Sequence, residues 1–263
     1  MTRRKVAGEQ SASTPPAGED RPVSPLASER RQPKPPFSRI ADDLRKCKLV
    51  DDRVFDDVYP LSIQSVSSVY WTPVEVAVRA SELLASRPGA VILDVGAGVA
   101  KFCIVAAASV DAVVEGVEHR AHLVDVGREA AANVGVRVQL SHGTLADVDP
   151  ARVDGIYLFN PFAENLYGTA DHLDETVELS EARFRHDIAE TERFLRAARA
   201  GTRLVTYCGW GGVPPDDYQL RSREQRGATL ELWIKTPGYS RERDSNQQPT
   251  PLWGGPNLRA LRE

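Results

Sequence analysis

The residues of this chain that can do chemistry stand at the ends of short apolar runs. Asp94 closes the run Val91-Ile92-Leu93 in the stretch VILDVGAGVAKF and is followed by Gly96 and Gly98, with Ala97 between them. Two readings fit it: an incidental acid in a tight strand-to-helix turn, or a pocket acid that holds part of a ligand. A carboxylate there would repel a pyrophosphate. Glu118 closes the next run, VVEGVE, just before His119. An acid so placed can accept both hydroxyls of a ribose, although a solvated strand-end acid reads the same way. The third run leads into Ser141-His142-Gly143-Thr144-Leu145-Ala146-Asp147, and the fourth into Asn160-Pro161-Phe162. The Asn160 amide oxygen and the Pro161 carbonyl can accept from the N–H groups of an amine and aim its lone pair, and Phe162 can stack on a planar group or face a developing cation. Asn-Pro is also common turn chemistry, so a purely structural role for Asn160 stands beside the functional one.

These residues need a scaffold that gathers strand ends. Apolar runs at 91–95, 113–117, 136–140, 153–159 and 202–207 alternate with helical stretches around 99–109, 120–133 and 175–200. The last helical stretch shows Val177, Phe184, Ile188 and Leu195 on one face, with Glu181/Arg185 and Glu192/Arg196 as four-apart ion pairs. Continuous apolar strands alternating with helices imply a parallel sheet covered on both faces. Tyr218–Gln225, Gly227 and Thr229–Lys235 read as a closing antiparallel hairpin. The fold class is therefore α/β, a doubly wound, mostly parallel sheet, and in such sheets ligands bind beyond the carboxyl ends of the strands. Upstream, Phe37, Ile40, Leu44 and Cys47 have helical spacing. A second helix is expected to start with Thr72 as N-cap, Pro73 in the first position and Glu75 completing a capping box, and to stop before Pro88-Gly89. The Gly- and Pro-rich loop Cys208–Pro215, with Trp210, either lines the substrate side or is an ordinary surface connection.

Composition limits the alternatives. The chain has 263 residues, 41% apolar and 27% charged, which suits one soluble globular domain with length left for tails. No run of about 18 apolar residues is present, and the N-terminus has no apolar core of a secretory signal. Cys47, Cys103 and Cys208 are odd in number and far apart, which implies reduced thiols in a cytoplasmic protein. The five histidines show no metal spacing; His119 and His122 have nothing nearby to complete a ligand set. The net charge is −4, yet residues 1–36 carry seven basic against four acidic residues. That segment is too poor in apolar residues to pack and is expected to be disordered. Residues 37–88 then form a helical addition, 89–238 the ligand-binding sheet, and 239–263 a flexible tail whose Trp253 and Leu258 can dock on the body. A chain starting at Phe37 is expected to keep cooperative thermal unfolding; loss of the transition would mean that the tail packs on the body.

The pattern Asp94-x-Gly96-x-Gly98-x-Ala100 resembles the first motif of class I S-adenosylmethionine-dependent methyltransferases. The resemblance extends over about residues 66–236. It implies a seven-strand sheet, S-adenosylmethionine as cofactor, Asp94, Gly96, Ala97 and Gly98 around its methionine end, and Glu118 and the adjoining His119 at its ribose. Ala100 replaces the usual third glycine. Thr144 stands where many members have an acid for the adenine amine, which leaves that task to backbone N–H groups around Thr144 and Leu145, or to Asp147. Asn160-Pro161-Phe162 resembles a shortened Asn-Pro-Pro-aromatic motif of amino- and amide-nitrogen methyltransferases. LFNPFAEN is also similar to the Asn-Asn-Phe segment of non-SET histone lysine methyltransferases. Tyr70-Trp71-Thr72-Pro73 resembles the Tyr-Thr-Pro stretch beside the cofactor in several nitrogen methyltransferases, which would make Tyr70 and Thr72 cofactor contacts. The implied acceptor is a nitrogen on a protein side chain or a small molecule. Nucleic acid is disfavoured by the acidic body. The rivals are a non-catalytic S-adenosylmethionine-binding protein and a nicotinamide oxidoreductase. The latter needs glycine or alanine where Lys101 stands.

Overall fold

The computed structural model describes residues 36–238. The expectations for the N-terminal tail, and for the stretch from Tyr239 with Trp253 and Leu258, lie outside the described residues. Strands β1 (Ala90–Val95), β2 (Ala112–Glu118), β3 (Gln139–His142), β4 (Gly155–Phe159) and β5 (Arg203–Tyr207) run parallel. Strands β6 (Tyr218–Arg226) and β7 (Ala228–Lys235) form an antiparallel hairpin about Gly227, and β7 pairs antiparallel with β5. The order is β3-β2-β1-β4-β5-β7-β6. This is the seven-strand, doubly wound architecture with a terminal hairpin that the class I methyltransferase resemblance implies. Its order reverses between β1 and β4, where such sheets open a crevice at their carboxyl edge.

Strand alternation divides β1 between two cores. Ile92 packs with Tyr157 and Val205 under α5 (Val74–Leu84), α6 (Lys101–Ser109) and α7 (Ala121–Val134). Leu93 and Val95 pack with Ile156, Leu158 and Leu204 against Phe194 and Leu195 of α8 (Glu181–Ala197). Asp94 therefore faces the α6 side. Helix α6 is apolar nearly all round because it is buried nearly all round, between the sheet and the N-terminal helices.

Among the described residues, four short helices precede α5: α1 (Ser38–Arg45), α2 (Asp52–Asp56), α3 (Leu61–Gln64) and α4 (Ser67–Tyr70). Lys101, the first residue of α6, joins them to the sheet. Its ammonium is buried and lies 2.7 Å from Asp52 Oδ1, 2.7 Å from Asp56 Oδ1 and 3.1 Å from Ser67 Oγ. A cation is unfavourable at a helix N-terminus, and these two carboxylates compensate for it.

Several boundaries differ from expectation. The capping box at Thr72 does not form: the α5 N-terminus donates from Val74 N–H to Asp52 Oδ1 at 3.0 Å, Thr72 Oγ1 meets Tyr157 Oη at 3.1 Å, and Glu75 pairs with Arg226. A partner 22 residues upstream took the place of the local one. Helix α1 ends before Cys47, which is exposed with φ 56°. β3 starts at Gln139 rather than residue 136. Helix α8 starts at Glu181, where the Ser180 hydroxyl accepts from Arg183 N–H, so Val177 precedes it. The expected pairs Glu181/Arg185 and Glu192/Arg196 are present. At the far edge, β6 carries Arg223 paired to Glu231 and Arg226 paired to Glu224, and its register shifts between Leu220 and Ser222.

Candidate active site

The turn after β1 is tightly enclosed. Gly96 and Ala97 both donate to the Val117 carbonyl, at 2.9 and 3.0 Å, and Gly98 N–H donates to Glu118 Oε2 at 2.9 Å. Gly96 and Gly98 have φ of +70° and +54°, and a Cβ on Gly98 would lie 2.3 Å from the Trp71 ring. A Cβ on Gly96 would lie 2.9 Å from Pro161 Cβ. The turn is thus gripped between the N-terminal addition and the segment after β4. Ala100, which replaces the motif's third glycine, takes φ 62°. A left-handed alanine costs about 1–2 kcal/mol. Its methyl has room because the facing α7 residue is Gly127, where a Cβ would approach it to 3.0 Å.

Two buried acids flank this turn. Glu118 is 6% exposed; besides Gly98, it accepts from Arg120 N–H through Oε1 at 2.8 Å. Each oxygen keeps lone-pair capacity beyond these bonds, and Glu118 lines the main cleft at the sheet edge. Asp94, 5% exposed, lies behind the turn in a smaller recess with Trp71, Thr72 and Lys101. Its one donor among the described residues is the Cys103 thiol, at 3.4 Å from Oδ2. Burial pushes the Asp94 pKa up to about 7; the Glu118 charge adds to the rise and the Cys103 contact opposes it.

The other expected site residues divide between cleft and recess. Gly98, His119, Thr144, Leu145, Asn160 and Phe162 line the cleft, Ala97 and Thr72 line the recess, and Gly96 lines both. Tyr70 borders both, and its hydroxyl donates to the Asp171 carbonyl at 2.6 Å. Burial pushes that phenol up to about 12. His119 has its imidazole pKa lowered, chiefly by burial, while the Glu118 charge opposes this. Thr144 caps a short 3₁₀ turn, Leu145–Asp147, and its N–H donates to Asp147 Oδ2 at 2.9 Å. That capping box occupies the Thr144 N–H and one Asp147 oxygen. Asn160 has φ 41°; its N–H donates to the Gly209 carbonyl at 3.0 Å, and its carbonyl accepts from Ala163 N–H at 3.3 Å. No partner for its side-chain amide is found among the described residues. In the loop after β5, Cys208 lines the cleft, and Trp210 is buried in the core rather than lying on a surface connection.

Sequence reasoning missed the charged wall opposite. Arg120, 5% exposed, donates to Asp174 Oδ1 at 3.1 Å and to Glu164 Oε1 at 3.0 Å. These partners lie 54 and 44 residues away, so spacing carried no signal for them. Arg183 and Asp187 on α8 pair at 2.8 Å, a four-apart spacing that was legible but passed over. His186, Asp187 and Glu190 approach one another within 4.8 Å. Asp187 is already held by Arg183, and the cluster alone does not argue for a metal. No helix among the described residues is long and apolar enough to cross a membrane.

No family model and no curated protein matches this chain. Among solved structures, an RNA methyltransferase from Salinibacter ruber with S-adenosyl-L-homocysteine aligns at 20% identity and TM-score 0.45, over 64% of this chain and 95% of that one. A putative O-methyltransferase from Klebsiella pneumoniae aligns at 16% identity and TM-score 0.49, over 76% and 98%. A mutant of MtNAS in complex with S-adenosylmethionine aligns at 15% identity and TM-score 0.47, over 76% and 77%. Likeness this distant carries no argument about activity, which has to come from the cleft.

Proposed function

We propose that the chain is an S-adenosylmethionine-dependent methyltransferase acting on a nitrogen of a protein side chain or small molecule. One observation carries the reading: two buried acids flank one glycine turn, Glu118 facing the cleft and Asp94 the recess behind it. A ligand that joins a ribose to an ammonium-bearing tail fits both. Asp94, buried with only a thiol donor among the described residues, suits the ammonium. Glu118 has acceptor capacity left for hydroxyls, and Leu145 N–H is the donor in its turn left over by the capping box. When bound, the cofactor supplies an electrophilic methyl on a sulfonium, for in-line attack by the acceptor.

The chain's own part is positioning and exclusion of water. The Asn160 amide oxygen accepts from an amine N–H and fixes the direction of its lone pair. Phe162 and Tyr70 wall the same space with apolar rings. On the cleft wall Arg120 and Arg183 offset Glu164 and Asp187, and the remaining acids Glu118 and Glu190 give a negative bias that favours a basic acceptor over the phosphates of nucleic acid. Lys101 is engaged with Asp52 and Asp56, so it is not available to a dinucleotide phosphate.

Calorimetry with S-adenosylmethionine and with NAD, followed by assay for S-adenosylhomocysteine, tests the reading. Binding of S-adenosylmethionine with turnover on an amine is expected. Binding of NAD alone would reject it, and binding without turnover on any acceptor fraction would leave a ligand-binding protein. Glu118→Gln is expected to weaken S-adenosylmethionine binding roughly tenfold, the difference between charge-assisted and neutral hydrogen bonds. An unchanged dissociation constant in the folded variant would remove Glu118 from the site.

A further inference from the structure

Helix α8 brings binding capacity to the cleft that the cofactor does not use. Arg183, Asp187 and Glu190 are spaced as neighbours on one helix face, and all three line the cleft. The adjoining face is fixed by packing, since a Cβ on Gly211 would lie 2.6 Å from Phe184 Cζ and 3.1 Å from Ile188 Cδ1. Asn165 ties the start of α8 to the segment after β4. Its side chain donates to the Phe162 carbonyl at 3.1 Å and accepts from Ser180 N–H at 3.2 Å. Arg183 and Glu190 thus hold a set position relative to the Asn160 turn.

A buried acid pins Arg183. Its Nε donates to both Asp187 oxygens, at 2.8 and 3.0 Å, and the Asp187 side chain is 7% exposed. The two terminal –NH₂ groups of Arg183 have no partner among the described residues. A guanidinium held through Nε presents its end-on fork, which matches the two oxygens of a carboxylate. Arg120, also in the cleft, is already spent on Glu164, Asp174 and the His119 ring. Glu190 adds the opposite sign: its carboxylate comes within 4.8 Å of that of Asp187 and has no partner among the described residues. The His119 imidazole, whose pKa is lowered chiefly by burial, also feels the charges of Arg183 and Asp187, which sets that pair on the cleft side of the helix.

A free guanidinium fork beside a free carboxylate complements a zwitterion. We propose that Arg183 and Glu190 receive the α-carboxylate and α-ammonium of a free amino acid, whose basic side-chain nitrogen extends to Asn160 as the methyl acceptor. A residue inside a protein chain has neither charge at its α-carbon, so the pair selects the free amino acid. The side-chain nitrogen attacks as the free base. Its lone pair forms the new N–C bond, the C–S bond leaves its electrons on sulfur, and the surplus proton goes to water. This rests on the methyltransferase reading of the site.

The test measures S-adenosylhomocysteine formation with L-lysine, L-arginine and L-histidine, and with cadaverine, agmatine and histamine, the same side chains without the carboxylate. At least one amino acid is expected to react with a kcat/KM about thirtyfold above that of its amine, the scale of hydrogen bonds to a charged group. Arg183→Gln is expected to erase this preference by raising the KM for the amino acid about thirtyfold, with the S-adenosylmethionine dissociation constant within about twofold of the parent. Glu190→Gln is expected to raise the same KM about tenfold. Equal use of amino acid and amine, methylation at the α-nitrogen, or an unchanged KM in Arg183→Gln overturns the assignment. So does a protein that binds S-adenosylmethionine and turns over none of the six, or a loss of cofactor affinity in Arg183→Gln as large as the rise in KM. A parent protein that does not bind S-adenosylmethionine would instead reject the underlying reading. If Arg183→Gln fails to fold because Asp187 loses its partner, the double variant Arg183→Gln/Asp187→Asn repeats the comparison with the same expected and overturning results.

Discussion

Asn160→Ala is expected to lower turnover about a hundredfold, the scale of a lost positioning contact, while S-adenosylmethionine affinity stays within about threefold of the parent. The backbone at this residue makes a second variant necessary. Asn160 has φ 41°, a conformation that asparagine tolerates and alanine resists at a cost of about 1–2 kcal/mol. Alanine therefore removes the amide and strains the turn together. Glycine removes the amide and keeps the turn. If the amide orients the acceptor, Asn160→Gly should melt near the parent temperature and still turn over about a hundredfold more slowly. If Asn160 only shapes the turn held by Gly209 and Ala163, glycine should restore parent turnover and alanine should depress stability, binding and turnover together. Asn160→Asp keeps the shape and adds a charge, which separates acceptor geometry from local field. Melting, binding and S-adenosylhomocysteine formation on the three variants decide between the roles, and parent-like turnover in Asn160→Gly would sink the catalytic one.

Asp94→Asn is expected to move stability and binding in opposite directions. The Asp94 pKa lies at about 7 in the folded chain, against an ordinary 3.8. Between those values the folded protein holds a proton that the unfolded chain has released. The stability contributed by that proton is complete below the lower value and is lost as pH rises through the upper one. At pH 8 the folded protein carries the whole cost of a buried, weakly partnered carboxylate, and an amide avoids it. The variant should therefore melt above the parent at pH 8, with the gap closing towards pH 5. Binding runs the other way, because an ammonium needs the ionised acid. Asp94→Asn should lose about a hundredfold in affinity for S-adenosylmethionine at pH 8, as expected when one partner of a buried charge pair is removed. Parent affinity should itself fall as pH drops below about 7. Paired thermal scans and titrations across this range check both signs. A variant that binds like the parent would take Asp94 out of the ligand site.

The sequence disclosed what depends on position along the chain and concealed what depends on the fold closing. Asp94 and Glu118 were legible because the end of a strand is readable from its apolar run, Asp94 falling one residue before the end of β1 and Glu118 at the end of β2, and parallel strands bring such ends together at one edge. The hairpin was legible for the same local reason, with Gly227 between two alternating stretches. The N-cap of α5 was misread although Thr72-Pro73 obeys the local rule. Asp52 reaches the same N–H from another helix, and Thr72 turns inward to Tyr157. The grip of Trp71 on Gly98 and the Arg120–Glu164–Asp174 cluster had no signal, since each joins segments that only the tertiary fold makes neighbours. Ala100 is the reverse case, a departure from the family motif visible at once. Its tolerance depends on Gly127, a residue on another helix.

The outer strand of the terminal hairpin bears on how the protein behaves in a crowded solution. β6 is an edge strand nine residues long, and an edge of that length offers unpaired backbone groups to another chain. Arg221, Arg223, Glu224 and Arg226 lie along it, and the register shift between Leu220 and Ser222 breaks its regularity where Arg221 intervenes. A second copy docking edge to edge would have to bring arginines together and match an irregular ladder. At the opposite edge, β3 is only four residues long and offers little to pair with. The apolar central strands are thereby shielded from runaway association, and the sheet stops growing at seven strands.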